Sequence, residues 1–216
     1  MAAEVLEAAV ADIEFADGVF RIAGTDRTVP LAEIAFASFD DARRPAEVEP
    51  GLYSSEDFLP EAPNFPNGCH ICELEVDPET GVVDILRYTV EDDVGKVINP
   101  LLLEGQIMGG VAQGLGQACG EHAVYDRDSG QLLSATFMDY PMPRADWIPD
   151  MDFQYQEIPS PRNPLGVKGA GEAGTVGAAP AYINALLDAL SVRGIEHIDM
   201  PATPLKVWQR SEEHTS

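Results

Sequence analysis

Basic residues are scarce in this sequence. Lys and Arg number 13 against 37 Asp and Glu, which gives a formal net charge of -24, and the only lysines are Lys96, Lys168 and Lys206. Phosphate backbones and anionic membrane surfaces repel a chain of this charge. A nucleic-acid partner is therefore not expected, and solubility is the simplest explanation of the excess acid.

Cysteines are few, and long apolar runs are missing. Three cysteines, Cys69, Cys72 and Cys119, do not make the disulfide framework of a small secreted protein. Cys69 and Cys72 form a C-x-x-C motif, but the alternating sequence around them predicts a strand, which would point the two thiols to opposite faces. No metal site is predicted there. No run of about 18 apolar residues occurs, so no membrane span is predicted.

The composition is that of a folded globular protein. Hydrophobic residues make up 45% of the 216 positions, which is enough for a core and argues against wholesale disorder. The first residues lack the basic flank and the apolar stretch of a secretory signal. A cytoplasmic location is therefore expected.

Strand and helix patterns follow one another irregularly along the chain. The first half predicts short helices over residues 3–11 and 29–38, hairpins over 12–24 and 69–90, and a Pro-rich connector over about 40–67. The second half predicts a helix over 101–119, strands over 121–125, 131–137 and 153–158, and a helix over about 180–190. Because no regular βαβ alternation appears, the predicted fold class is α+β, with mixed strands and helices.

Residues 104–117 combine helical periodicity with five glycines. Each glycine inside a helix costs about 1 kcal/mol relative to alanine, so a close approach to this backbone is needed to make the cost tolerable. Gln106, Gln113 and Gln117 lie near one face of the predicted helix and could bind a polar ligand through their amides. Close helix packing with solvated glutamines is the alternative interpretation.

Residues 161–180 form a second glycine-rich segment, which contains one carboxylate. Its glycines allow the backbone to approach a ligand closely, and a helix is predicted to start at Pro180. Glu172, held against apolar neighbours and glycine backbone, could serve as a general base. The segment lacks the G-x-x-x-x-G-K-[ST] pattern of a P-loop, and an exposed Glu on a plain glycine loop is the alternative.

Together the two segments resemble the second molybdopterin-binding region of the molybdenum hydroxylase large subunit, in the family of xanthine dehydrogenase, aldehyde oxidase and aerobic carbon monoxide dehydrogenase. Further stretches match the family in the same order: residues 68–81, 92–100, 137–143 and 197–204. The resemblance covers residues 1–208 and implies a C-terminal fragment of that subunit with the family's fold. Residues 209–216 are a predicted non-native tail, because 210–216 match the translation of a common sequencing adapter, and they are expected to pack against nothing.

The resemblance implies roles for individual residues. The glutamate of the family's G-x-G-E loop is the catalytic base, which implies that role for Glu172. The glutamine of the family's E-G-Q motif hydrogen-bonds the pterin cofactor, which implies a cofactor contact for Gln106, turned toward residues 169–174. The other cofactor-binding positions implied are Asp92, beside Asp93 in the double aspartate before the I-N-P motif, and Lys168, Gly169 and Gly171 in the loop. No protein ligand to the metal is implied.

The implied reaction is the hydroxylation of an electron-poor carbon with oxygen from water. A molybdenum–molybdopterin cofactor, as such or as its cytosine dinucleotide, carries the redox chemistry, while the protein positions it and supplies the base. The implied partners are an iron–sulfur small subunit, an FAD medium subunit and the missing N-terminal part of the same subunit. The substrate stays open, because relatives that oxidise carbon monoxide tend to read G-E-S where this sequence has Ala173 after Glu172.

Two other functions compete with this interpretation. One is a cofactor-free interaction module that kept the fold without the catalysis. The other is an unrelated phosphate-binding protein that uses the loop at residues 166–177. Upstream coding sequence that holds the first cofactor-binding domain would favour the enzyme over both.

Overall fold

In the computed structural model, which describes residues 1–213, the chain divides into two units, Met1–Leu59 and the residues from Pro60 onward. The elements of the first unit are α1 (Ala2–Leu6), β1 (Ile13–Ala16), β2 (Val19–Ile22), β3 (Thr28–Pro30) and α2 (Leu31–Ala37), with the strands in one antiparallel sheet. Asp17 and Gly18 between β1 and β2 both have positive φ, as a tight two-residue hairpin turn requires. The predicted hairpin is confirmed, whereas the helix predicted over residues 3–11 ends at Leu6.

Residues 40–66 form neither helix nor strand, as the five prolines of this connector predict. The elements of the second unit are β4 (Asn67–Val76), β5 (Val83–Asp93), α3 (Pro100–Cys119), β6 (Met151–Gln156), α4 (Ala173–Leu190) and α5 (Pro204–Glu213). β5 lies between antiparallel β4 and parallel β6. Helices α3 and α4 share one apolar core with this sheet, and the predicted α+β class is confirmed.

The pairing of β4 with β5 contains one irregularity. Glu73 pairs with Arg87, but the next residue, Leu74, pairs with Ile85, so that Leu86 is an extra residue in β5. This is a β-bulge, which inserts a residue into one strand and changes the direction of the following side chains.

Helix α3 begins where the sequence predicts. The Asn99 side chain accepts a hydrogen bond from the Leu102 amide at 3.2 Å, and Pro100 occupies the first helical position, where its missing N–H costs nothing. Along the buried face, the apolar side chains are Leu103, Ile107, Val111, Leu115 and Ala118. Fully burying a side chain of the leucine, isoleucine or valine type contributes about 1.5–3 kcal/mol.

Helix α4 begins seven residues earlier than the sequence predicts. It starts at Ala173, so Pro180 lies inside the helix and the glycine loop ends at the N-cap, Glu172. Gly174 and Gly177 are helical: a Cβ on Gly174 would overlap the Ile107 carbonyl oxygen, and one on Gly177 would lie 2.5 Å from the nearest atom of the His70 ring. These glycines allow close packing of the helix, although the sequence pattern alone predicts a loop at these positions.

The glycines of α3 are explained in part by its packing against α4. A Cβ on Gly114 would lie 2.8 Å from both the Ala178 Cβ and the Thr175 carbonyl oxygen. The Thr175 hydroxyl donates a hydrogen bond to the Gly110 carbonyl oxygen at 2.9 Å. Gly110 meets Gly174 while Gly114 meets Ala178, so the two helices run in the same direction.

The strands predicted over residues 121–125 and 131–137 do not form. One isolated bridge joins Tyr125 and Leu132, and the turn between them is held by the Asp126 carboxylate, which accepts hydrogen bonds from Asp128 and Ser129. Beyond the bridge, the Val124 amide bonds to the Ser134 hydroxyl instead of a backbone carbonyl. The ladder therefore stops after a single bridge.

The last described residues extend helix α5. Ser211 is buried, and its hydroxyl donates to the Trp208 carbonyl oxygen at 2.8 Å. The expectation that residues beyond Trp208 pack against nothing is therefore wrong for the described part, while residues 214–216 lie outside it. The non-native origin of residues 209–216 stays a prediction. None of the helices within residues 1–213 is long and apolar enough to cross a bilayer.

The α3–α4 contact predicts a difference between two glycine substitutions in one helix. Gly114→Ala should lower the free energy of unfolding by about 1–3 kcal/mol, since the added methyl group overlaps Ala178 and backbone. Gly105→Ala is the matched control, because a Cβ there meets nothing within 4 Å; it should raise the free energy of unfolding by up to about 1 kcal/mol. Urea unfolding of both variants measures the difference. A Gly114→Ala chain as stable as the control would contradict the packing described.

Candidate functional site

A cavity of about 560 Å³ opens in the second unit. It is lined by residues of β4, β5, the connector and the start of α4. Four predicted site residues that lie up to 80 positions apart in the sequence line it together: Asp92, Gly169, Gly171 and Glu172. The structure therefore brings most of the predicted site to one place.

Glu172 stands at the rim of this cavity as the N-cap of α4. Its side chain makes no capping hydrogen bond to the first turn of the helix, so the carboxylate remains available to a ligand. Glu172 is also exposed. The apolar enclosure expected around a base is therefore not provided by the part of this chain that the structure describes.

In the loop before Glu172, Val167 is held by hydrogen bonds, whereas Gly169 and Gly171 are uncovered. Val167 is held from two sides: Asn163 bonds to both its amide and its carbonyl, at 3.0 and 2.9 Å, and Asn64 donates to the same carbonyl at 3.1 Å. A Cβ on Gly169 or Gly171 would meet nothing within 4 Å. The backbone of these two glycines is therefore uncovered on the cavity side and can be approached by a ligand.

Lys168 anchors the loop and does not line the cavity. Its side chain is mostly buried, and its ammonium pairs with the Asp93 carboxylate. Asp93 also accepts hydrogen bonds from the amides of Gly95 and Ile158, at 2.9 and 3.2 Å. Burial acts to raise the pKa of Asp93, but the hydrogen bonds and the charge of Lys168 outweigh it and lower that pKa below its usual range.

The neighbouring aspartate, Asp92, belongs to a buried group that the sequence did not predict. His70 lies between two side chains, with its Nδ1 3.0 Å from the Tyr88 hydroxyl and its Nε2 3.5 Å from Asp92 Oδ1. All three side chains are nearly fully buried. The other oxygen of Asp92, Oδ2, is buried with no hydrogen-bond partner among the described residues.

One signal in the sequence could have identified His70. It occupies an inward position on β4, in alternation with Cys72, Leu74 and Val76. The alternation of inward and outward positions can be read from the sequence. A histidine at an inward position among apolar residues needs a polar partner when it is buried. The same alternation places Cys69 and Cys72 on opposite faces, as predicted. Burial, with a contribution from Glu73, raises the pKa of the Cys72 thiol to about 11.

Gln106 lies outside the cavity wall. It is exposed on α3, next to Ile107, whose carbonyl oxygen contacts Gly174 near the start of α4. The two glycines around Gln106 on this side, Gly105 and Gly109, would carry a Cβ into open space. The backbone around Gln106 is therefore uncovered, and its predicted cofactor contact stays a prediction.

No group of three or more His, Cys, Asp or Glu side chains within residues 1–213 could hold a metal ion. What the cavity offers is different: free glycine amides, one available carboxylate at the rim and one buried carboxylate with an unused oxygen. Such a set recognises a polar ligand that has both hydrogen-bond donors and acceptors.

Comparison with known proteins identifies one family model and several curated relatives. A family model described as "Molybdopterin cofactor-binding domain" matches residues 1–149. The chain is 38% identical to the 6-hydroxypseudooxynicotine dehydrogenase complex subunit gamma of Paenarthrobacter nicotinovorans over 213 residues, which are 98% of this chain and 27% of that protein. It is 35% identical to the carbon monoxide dehydrogenase large chain of Hydrogenophaga pseudoflava, over 99% of this chain and 26% of that protein.

Solved structures show the same fold. The Cu,Mo-CO dehydrogenase in its carbon monoxide reduced state superimposes with a TM-score of 0.88 and 34% identity, over 99% of this chain and 27% of that chain. Quinoline 2-oxidoreductase from Pseudomonas putida 86 superimposes with a TM-score of 0.88 and 36% identity, over 98% of this chain and 27% of that chain. The chain thus spans only about a quarter of the length of the relatives it matches.

The Lys168–Asp93 pair predicts a large, pH-dependent loss of stability on mutation. Lys168→Met should lower the free energy of unfolding at pH 7 by about 3–5 kcal/mol, because it leaves a buried carboxylate without its cation. The lowered pKa of Asp93 stabilises the folded chain above the ordinary carboxyl value of 3.8. That contribution is lost as the pH falls through the folded-state pKa. The difference between variant and parent should therefore shrink below about pH 4 in urea unfolding.

Lys96→Met is the matched control for this experiment. Lys96 pairs with Glu157 at 2.7 Å, but both side chains are substantially exposed. An exposed pair contributes only about 0–1 kcal/mol. Equal losses in the two variants would show that the Lys168–Asp93 pair does not anchor the loop.

Proposed function

The chain belongs to the family of molybdopterin cofactor-binding domains, and on this premise we propose that it forms the C-terminal part of the molybdenum-cofactor subunit of a hydroxylase. The observation that carries the proposal is the meeting of Asp92, Gly169, Gly171 and Glu172 at one cavity. Two stretches of sequence supply these residues, and packing of α4 against α3 and β4 joins them.

The chemistry of the cavity fits this cofactor. A molybdopterin has amino and ring N–H donors as well as phosphate oxygens. The uncovered amides of Gly169 and Gly171 suit an anionic oxygen, and the carboxylate of Asp92, which lines the cavity, suits an N–H donor. When bound, the cofactor supplies the two-electron redox chemistry.

Glu172 is the proposed base of the reaction. One of its carboxylate oxygens accepts the proton of the water-derived oxygen that is transferred to an electron-poor carbon. Two observations support the role: the side chain lines the cavity, and it is not consumed by capping α4. Glu172 directly precedes the long, packed helix α4. This location fixes the position of its carboxylate, which general base catalysis requires.

The rest of the subunit completes the site in this proposal. Glu172 is exposed in the described chain, and the relatives extend over nearly four times its length, since it covers 27% of the first of them. Residues outside this chain would exclude water from the base and contribute the other half of the cofactor cradle. They would also supply the groups that contact the substrate.

The cofactor and partners follow from the same premise. We propose molybdenum–molybdopterin, in its simple form or as the cytosine dinucleotide, with Gln106 as a further contact. An iron–sulfur small subunit and an FAD medium subunit would receive the electrons. The relatives are a subunit of a dehydrogenase complex and the large chain of another dehydrogenase, which supports an assembly of several subunits. Those relatives act on different compounds, so the substrate class proposed here is limited to small molecules with an oxidisable carbon.

The proposal is tested by Glu172→Gln in the cofactor-loaded enzyme that contains this chain. The substitution keeps the size of the side chain and removes the base. Reduction of the enzyme by substrate should slow by at least about 10²–10⁴-fold, while molybdenum content stays near that of the parent. Stopped-flow reduction and metal analysis measure the two quantities. An enzyme that keeps its molybdenum and its rate would remove Glu172 from the mechanism.

Gln106→Ala is the complementary variant. If Gln106 binds the cofactor, this variant should retain less molybdenum but reduce at a nearly normal rate per bound molybdenum. The pair of variants separates catalysis from cofactor retention. A parent enzyme that contains no molybdenum when produced with its complete subunit would instead favour the cofactor-free interaction module.

A further inference from the structure

We propose that His70 is a positioning residue of the cofactor site, which acts with Tyr88 to hold the Asp92 carboxylate so that it can accept a hydrogen bond from an N–H group of the cofactor. The donor belongs to an amino-substituted nitrogen heterocycle and reaches the carboxylate directly or through one water. This inference rests on the proposed function, which it extends to residues that no sequence motif identified.

The hydrogen bond between Tyr88 and His70 sets the tautomer of the imidazole in this proposal. Tyr88 is fully buried, and this burial raises the pKa of its hydroxyl above the ordinary value, with Cys72 and Asp92 adding to the effect. The hydroxyl therefore keeps its proton, and in the proposed arrangement it donates a hydrogen bond to His70 Nδ1, 3.0 Å away. A neutral imidazole that accepts at Nδ1 carries its proton on Nε2.

Asp92 lies between His70 and the cavity. His70 Nε2 is 3.5 Å from the carboxylate oxygen Oδ1, and Asp92 lines the cavity. The other oxygen, Oδ2, is buried without a hydrogen-bond partner among the described residues, and a buried carboxylate with an unmet hydrogen bond is costly. A donor from the bound cofactor would give this carboxylate a hydrogen bond only when the cofactor is present.

Close packing surrounds His70 and Asp92. Gly177 of α4 packs directly on the imidazole, because a Cβ there would lie 2.5–2.6 Å from three ring atoms. Gly68 on β4 leaves the space that Asp92 Oδ1 occupies, and any Cβ at that position would overlap it. The Tyr88 ring meets the His70 ring edge to face, with centroids 5.8 Å apart. These contacts hold the His70 ring and the Asp92 carboxylate in place.

The group of His70 and Asp92 lies in the wall of the cavity. His70, Asp92 and Gly177 line the same cavity as Gly169 and Glu172. The carboxylate with the unused oxygen therefore forms part of the wall that the proposed cofactor contacts. Glu172 is at the rim and Asp92 is buried within the wall, so the two carboxylates have separate tasks.

The experiment compares two amide substitutions of His70 in the cofactor-loaded enzyme that contains this chain. Glutamine can place an N–H donor near the position of Nε2, whereas asparagine reaches only the position of Nδ1 and leaves Asp92 without its donor. The measurement is the rate at which molybdenum is released at a temperature below unfolding. We expect H70N to release it on the order of tenfold faster than the parent, the lower range for residues that orient a metal group indirectly, and H70Q to stay close to the parent.

Two further variants guard against a loss of folding. Tyr88→Phe keeps the ring and removes the hydroxyl that fixes the imidazole proton, so it should also release molybdenum faster. His197→Asn is the matched control, because His197 lies 3.0 Å from Asp199 in a similar pair that is exposed on both sides. This control should release molybdenum at the parent rate.

Each outcome decides the proposal. Faster release from H70N and Y88F, with rescue in H70Q, supports it. Equal release from H70N and the parent overturns it, and so does equal acceleration in H70N and H70Q, which indicates a purely structural His70. A parent enzyme without molybdenum overturns the proposed function itself. Slow reduction of a molybdenum-loaded E172Q enzyme supports the proposed function, whatever the molybdenum release rates of the His70 variants are.

Discussion

The contact of α3 with α4 at glycine is the constraint on which the second unit depends. Gly110, Gly114 and Gly174 have no side chains, so the two backbones approach more closely than any other residue would permit. This approach fixes the direction and height of α4, and with it the position of Glu172 at the helix start. It also presses Gly177 onto His70 of β4. The walls of the cavity are therefore in part a consequence of helix packing. Within the glycine-rich segment, Gly174 serves the contact between the helices, while Gly169 and Gly171 stay uncovered.

Interactions between residues close in sequence made much of the fold predictable. The two hairpins are confirmed because residues such as Asp17 and Gly18 encode a turn within a few positions. Helix α3 is confirmed because Asn99 and Pro100 give a clear start and the apolar spacing is helical. Within the site, Asp92, Gly169, Gly171 and Glu172 were predicted from the resemblance to a known family, and the structure brings them to one cavity.

The errors share one cause, which is dependence on partners distant in sequence. The start of α4 was placed too late because the value of Gly174 lies in its contact with Ile107, 67 positions away. His70 was missed because a single histidine on a strand belongs to no motif until Tyr88 and Asp92 are known to face it. The ammonium of Lys168 pairs with a buried aspartate on another strand, and the predicted cofactor contact of Lys168 through the loop backbone stays a prediction. Sequence patterns encode local geometry well, and these interactions are not local.

The extra residue Leu86 in β5 has a consequence that reaches the site. Before it, the side chains that turn toward the core carry odd numbers, Val83 and Ile85; after it they carry even numbers, Tyr88, Val90 and Asp92. The bulge thus changes the inward positions from odd to even numbers along the strand. If the same residues alternated regularly from Ile85 onward, Arg87 and Glu91 would turn inward in place of Tyr88 and Asp92. One strand can then contribute apolar side chains to the core before the bulge and polar side chains to the cavity after it. The part of the strand before the bulge can change in length only by steps of two residues, because a change of one residue would exchange its inward and outward faces.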